Sequence, residues 1–255
     1  MTETLSLRAK IEQSPMGAYQ WMIVAMAAIM NLLDGFDVLA LAFTATAIRN
    51  EFGLTRIELG YLLSAGLFGM AAGSLFLAPL ADKIGRRPLL LMAVLLSTIG
   101  MLGSAFISQY QWLGFWRVIT GFGVGGILVG TNVITSEYSS RKWRSFAISV
   151  YAAGFGIGAV LGGMFAVMLQ GEYGWRSVFL AGAILTGLFL VILFIWLPES
   201  IDFLTTKQPK NAEVRLNLIA KKIGLVGDWK LLAKTEKIKT KLPISQLFSE
   251  KYLHS

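Results

Sequence analysis

The sequence predicts an all-α membrane protein of six transmembrane helices followed by a basic polar tail. Three observations carry that expectation. Of the 255 residues, 55% are hydrophobic and 15% charged, against about 25% charged in soluble domains. The apolar residues gather in stretches of about twenty, the length a helix rising ~1.5 Å per residue needs to cross a ~30 Å hydrocarbon core. Period-two alternation with frequent turns, the mark of a membrane barrel, is absent. The lack of Cys excludes a disulfide scaffold and a thiolate metal site. A mean hydropathy of +0.63 excludes a disordered chain.

The elements follow in order. Residues 1–18 read as a short N-terminal segment carrying Arg8 and Lys10. Residues 19–197 hold six spans, read at 19–47, 58–81, 88–107, 112–136, 145–169 and 177–197. The first is too long for a signal-peptide core and contains two acids, so a cleaved leader is not expected. Residues 198–255 are polar and Lys-rich, and 212–222 and 228–239 have the pattern of short basic amphipathic helices at a membrane surface. Trp21, Trp112, Trp116 and Trp175 fall near span ends, where interfacial anchoring is expected.

Basic residues set the orientation, because cytoplasmic loops are enriched in Lys and Arg. Nineteen of the 23 lie before span one, in the loops after spans two and four, or in the tail. The opposite side carries only Arg49, Arg56 and Arg176. Both termini are therefore expected in the cytoplasm of a cell with its spans in the inner membrane. The net charge of +8 is then topogenic charge facing anionic lipid, and no nucleic-acid partner is implied.

Ionisable residues inside spans are costly and mark candidate sites. Span one holds Asp34-Gly35-Phe36-Asp37 near its middle. Positions i and i+3 share a helical face, so the two carboxylates titrate as a coupled pair. That is the chemistry of a proton site; the alternative is a pair satisfied by backbone donors that shapes a kink at Gly35. Arg117, the remaining basic residue, sits inside span four. Its permanent charge requires a counter-ion: a span-one aspartate or the carboxylate of an anionic substrate. A snorkelling side chain is the other possibility. Asn132 and Glu137 lie further along the same span.

The loop after span two reads Ala78-Pro-Leu-Ala-Asp82-Lys-Ile-Gly85-Arg86-Arg87-Pro88, and Glu137, Arg141 and Arg144 flank the loop after span four. A charge network between these loops would hold helix ends together in one state and release them in another. Simple topogenic charge accounts for the basic residues but not for Asp82 or Glu137.

The first loop resembles the signature of the major facilitator superfamily, G-x-L-A-D-[RK]-x-G-R-[RK], matched at Asp82, Gly85, Arg86 and Arg87, with Ala78 in place of the first Gly. Arg117, Gly121, Gly123 and Glu137 resemble its span-four motif, and Pro198-Glu199-Ser200 its exit from span six. Asp34-Gly-Phe-Asp37 resembles the D-G-[FY]-D element of the aromatic acid:proton symporter family. Span five has Ala159 where the antiporter motif expects Pro, which favours symport.

The resemblance implies the N-terminal half of a twelve-helix transporter. It carries small aromatic carboxylates, such as 4-hydroxybenzoate, protocatechuate or benzoate, together with a proton across the cytoplasmic membrane. Asp34, Asp37 and Arg117 are implied in coupling, and Asp82, Gly85, Arg86, Arg87, Glu137 and Arg141 in the cytoplasmic gate. The expected partners are the substrate, the proton, the bilayer, and a missing C-terminal six-helix half or a second copy of the chain. Transport of a sugar, dicarboxylate or drug on the same scaffold, and a truncated non-transporting protein, are the alternatives.

Two patterns mislead. Gly121-Phe-Gly-Val-Gly-Gly126 fits G-x-G-x-x-G, but no strand precedes it. Gly69–Gly73, Gly126–Gly130 and Gly158–Gly162 instead have the spacing of close helix contacts. No metal-spaced His cluster, Ser-His-Asp set or phosphate loop occurs, so neither an enzyme nor a cofactor is expected.

Overall fold

The computed structural model describes residues 7–225 together with Gly227 and Trp229. Its helices run α1 (Leu7–Gln13), α2 (Ala18–Phe52), α3 (Arg56–Ile84), α4 (Arg86–Ala105), α5 (Tyr110–Tyr138), α6 (Arg144–Tyr173), α7 (Trp175–Trp196), α8 (Ile201–Lys207) and α9 (Ala212–Ile223). The six from α2 to α7 are long and apolar enough to cross a membrane, and among the described residues there are no strands.

Most helices run past the apolar stretches read from sequence because polar residues cap or extend their ends. Helix α2 continues to Phe52, five residues past the apolar run, and stops at Gly53 in the left-handed region (φ 63°). A reciprocal cap opens α3: the Glu58 N–H donates to Thr55 Oγ1 at 3.2 Å, and the Thr55 N–H donates to Glu58 Oε2 at 2.8 Å. Gly85 alone separates α3 from α4, at φ 105°, where a side chain would be strained.

The chain therefore zigzags, placing both short helical tail segments and α1 at one end of the bundle, here called the basic end. The N-terminal segment is not a passive lead. Leu7 and Ile11 of α1 are buried in a cluster with Tyr138, Ile201, Leu204 and Leu216. The tail helix read at 212–222 is α9; the one read at 228–239 lies outside the described residues apart from Trp229.

Helix α2 packs on α6, α3 on α5, and α4 against α5 and α7. Glycines set the spacing. Gly69 and Gly73 of α3 lie against the backbone of Val118 and Phe122 in α5, and Gly158 of α6 lies against the Leu32 backbone in α2. Gly126 and Gly130 instead face the side chains of Leu77 and Leu90. As a result α2 and α5 form the interior, whereas α3 and α6 present exposed apolar side chains such as Phe68, Phe76, Val160 and Met168.

Candidate functional site

The interior of the bundle holds a buried ion pair. Arg117 on α5 donates from Nη1 to Asp37 Oδ1 on α2 at 3.0 Å, and both side chains are 4% exposed. Its Nη2 reaches Ser104 Oγ at 3.0 Å and Thr120 Oγ1 at 3.1 Å. The guanidinium also lies 4.8 Å from the centre of the Phe179 ring, a cation–π contact. Ser97 Oγ–H donates to the second Asp37 oxygen at 3.0 Å. Burying two charges is stable only when such additional bonds satisfy them. Arg117 does not snorkel; its head is inside, and of the two candidate acids it takes Asp37.

Asp34 has different surroundings. It is 2% exposed, and its Oδ2 has no hydrogen-bond partner. One turn earlier, Asn31 donates from Nδ2 to the Tyr151 carbonyl of α6 at 2.8 Å, while its Oδ1 is also without a partner. The Tyr151 and Thr131 hydroxyls lie 3.2 Å apart beside this pair of helices. The i, i+3 spacing thus places two acids on neighbouring positions of one face, yet only one of them meets the cation.

A cavity of about 180 Å³ opens beside the ion pair between α2, α3 and α5. Asp37, Arg117 and Thr120 form its polar wall; Val38, Leu41, Leu63, Leu67, Met70 and Val124 form most of the remainder. The Arg117 Nε–H is buried and has no partner. The arrangement is an apolar slot with a buried ion pair in one wall. Among the described residues, no group of three His, Cys, Asp or Glu side chains is placed to hold a metal ion.

At the basic end, the expected direct network between the two short loops does not form in this conformation. Asp82 pairs with Arg86 of its own loop at 2.9 Å. Arg87 donates to the Phe194 carbonyl at 2.5 Å. Glu137 meets no Arg; it accepts from Ser200 Oγ–H at 2.8 Å and the Ile201 N–H at 2.8 Å, capping α8. The segment after α7 and helix α1 provide the links instead. Glu199 Oε1 accepts from the N–H groups of Arg86 (2.8 Å), Arg87 (3.1 Å) and Ser200 (3.0 Å), closing the positive start of α4. Gly85 leaves room for it, since a Cβ there would lie 2.6 Å from Glu199 Oε2.

Helix α1 completes the strap. Glu12 takes Arg144 Nη2 at 2.7 Å, and its carbonyl takes the Arg141 N–H at 3.0 Å. Arg8 pairs with Asp202 of α8. The hydrogen bond from Arg144 holds the Glu12 carboxyl below its ordinary range. Sequence reasoning did not find Ser97, Ser104, Thr120, Phe179, Glu12 or the capping by Glu199. The available signal was hydroxyl residues within apolar runs and an acid at a span exit.

Six helices long and apolar enough to cross a membrane, with a buried ion pair and a cavity beside it, describe a multi-pass membrane protein. The chain belongs to the major facilitator superfamily, whose model matches residues 27–253. It is 34% identical over 242 residues to a gallate transporter of Pseudomonas putida, covering 95% of this chain and 54% of that protein. It is also 34% identical over 216 residues to the 4-hydroxybenzoate transporter PcaK of the same species, covering 85% and 48%. The chain thus spans about half the length of the curated relatives it matches. In structure it resembles the partially occluded inward-open xylose transporter XylE from E. coli, with a TM-score of 0.70 at 22% identity, over 79% of this chain and 55% of that one. The fold corresponds to the N-terminal half of a major facilitator fold.

Proposed function

We propose that the chain forms the amino-terminal half of a proton-coupled symporter for small aromatic carboxylates in a bacterial inner membrane, both termini cytoplasmic. The observation that carries this reading is the apolar cavity with Arg117 and Asp37 in one wall. The aromatic ring lies on Leu63, Leu67, Met70 and Val124, and the carboxylate lies toward the polar wall that Arg117 and Thr120 form. A charge-assisted bond to guanidinium is the strongest recognition available to such an anion. The names of the gallate and 4-hydroxybenzoate relatives support the same substrate class.

Proton binding at the Asp34–Asp37 pair offsets the substrate's negative charge in the low-dielectric interior. Asp82, Gly85, Arg86, Arg87, Glu137 and Arg141 act at the cytoplasmic gate, where Glu199 and α1 join the helix ends. Rocking against a second half gives alternating access. Uptake of labelled 4-hydroxybenzoate into liposomes holding the purified chain together with a second six-helix half tests the reading. Accumulation driven by an inward proton gradient and abolished by a protonophore is expected; uptake indifferent to the gradient rejects proton coupling.

A further inference from the structure

We propose that Gly66 of α3 determines which aromatic carboxylates the cavity accepts, because the side chain it lacks leaves the recess that a ring substituent fills. This rests on the aromatic carboxylate reading and deepens it. Along α3 the cavity is lined by Leu63, Gly66, Leu67 and Met70. Their spacing of i, i+3, i+4 and i+7 puts them on one helical face. Gly66 interrupts a stripe of otherwise bulky side chains there.

A glycine on a membrane helix serves close packing or open space, and the geometry separates the two. At Gly69 and Gly73, further along α3, an added Cβ would collide with the carbonyls of Val118 and Phe122, so the approach of α5 requires glycine. Gly121 of α5, also in the cavity wall, is of the same kind: its Cβ would strike the Gly66 carbonyl. Gly66 itself is different. Among the described residues, a Cβ added there comes within 4 Å of one atom beyond its own stretch of helix, the Arg117 carbonyl oxygen at 3.9 Å, an ordinary van der Waals separation. Packing does not require glycine at this position, and helix propensity favours alanine. What the glycine keeps is room inside the cavity.

The recess lies against the α5 backbone at Arg117, beside the polar wall that Arg117 and Thr120 form. A ring that carries only a carboxylate is covered by Leu63, Leu67 and Met70 without it; hydroxyl groups on the ring need the added depth. A Cβ at residue 66 removes that depth and penalises the substituted acids. One surplus methylene in an apolar pocket is worth roughly 10- to 200-fold in affinity. Gly66 thus widens the accepted class from benzoate to its ring-hydroxylated derivatives.

Calorimetric titration of the purified chain assembled with a second six-helix half, using benzoate, 4-hydroxybenzoate and gallate in turn, tests this. In Gly66→Ala the affinity for gallate relative to benzoate is expected to fall roughly 10- to 200-fold, with 4-hydroxybenzoate between them. Thermal unfolding separates space from packing: Gly66→Ala is expected to keep or slightly raise Tm, whereas Gly69→Ala lowers it. Unchanged relative affinities in Gly66→Ala overturn the proposal alone, as does binding of benzoate and neither hydroxylated acid by the unmodified assembly. A Tm loss in Gly66→Ala equal to that in Gly69→Ala also overturns it, since residue 66 would then be a packing glycine. Absence of binding of all three acids by the unmodified assembly overturns the aromatic carboxylate reading and the proposal with it.

Discussion

The contact between α2 and α6 places Asp34 and Asn31, and its tightness depends on single glycines. In Gly158→Ala the added Cβ falls on the Leu32 carbonyl, with the carbonyl carbon at 2.6 Å and Cα at 2.8 Å, where ordinary contact is 3.4–4 Å. The obstacle is backbone, so no rotamer change relieves it. The helices must part by about 1 Å at the crossing, enough to forfeit roughly a quarter to a half of each local dispersion contact. Overpacking of this kind costs about 1–3 kcal/mol. For a chain of this size that lowers Tm by roughly 3–10 °C. Gly156, two residues away on the same helix, has nothing within 4 Å of an added Cβ. There Ala gains about 0.5–1 kcal/mol of helix propensity and raises Tm slightly. Thermal unfolding in detergent, followed by far-ultraviolet circular dichroism, compares the two variants. Equal Tm values for Gly156→Ala and Gly158→Ala would refute the packing argument.

Arg117→Gln leaves the Asp37 carboxylate buried without its cation and is expected to cost about 3–5 kcal/mol. Adding Asp37→Asn should recover more than half of that loss in a double-mutant cycle measured by the same unfolding assay. Glu199→Ala deprives the start of α4 of its acceptor and is expected to destabilise by about 1–3 kcal/mol. Hydrogen exchange in the first turn of α4 should rise with it. The folded-state carboxyl of Glu12 lies below its ordinary value because of Arg144. Its contribution is therefore present above the unfolded value and lost as pH falls through the folded one. Exchange protection of α1 should drop as pH falls below about 4, and Glu12→Gln should remove that pH dependence.

Six spans were legible because about twenty apolar residues in a row have few other uses. The Asp and Arg within them were conspicuous for the converse reason: charge in an apolar run needs a partner. Which acid Arg117 takes was not legible, since i, i+3 spacing fixes a shared face but not the helix each position meets. The answer lies in the approach of α4, whose Ser97 and Ser104 complete the set around the ion pair. Helix α1 escaped notice because seven mixed residues carry little periodicity, and Leu7 and Ile11 acquire meaning only against α5 and the tail helices. Charge alone suggests the two basic-end loops as mutual partners. In the fold, Glu137 instead caps α8 and Glu199 caps α4, because backbone N–H groups at helix starts attract carboxylates as Arg does.

Equilibrium binding to the purified protein tests the central claim most directly. Calorimetric titration with 4-hydroxybenzoate is expected to show one saturable site, displaced by benzoate and not by xylose. Loss of the guanidinium in Arg117→Gln, measured where that variant remains folded, should weaken binding roughly 10- to 100-fold, as expected for one charge-assisted contact of ~1.5–3 kcal/mol. Unchanged affinity in Arg117→Gln, or displacement by xylose and not by benzoate, would contradict the assignment of the cavity as an aromatic carboxylate site.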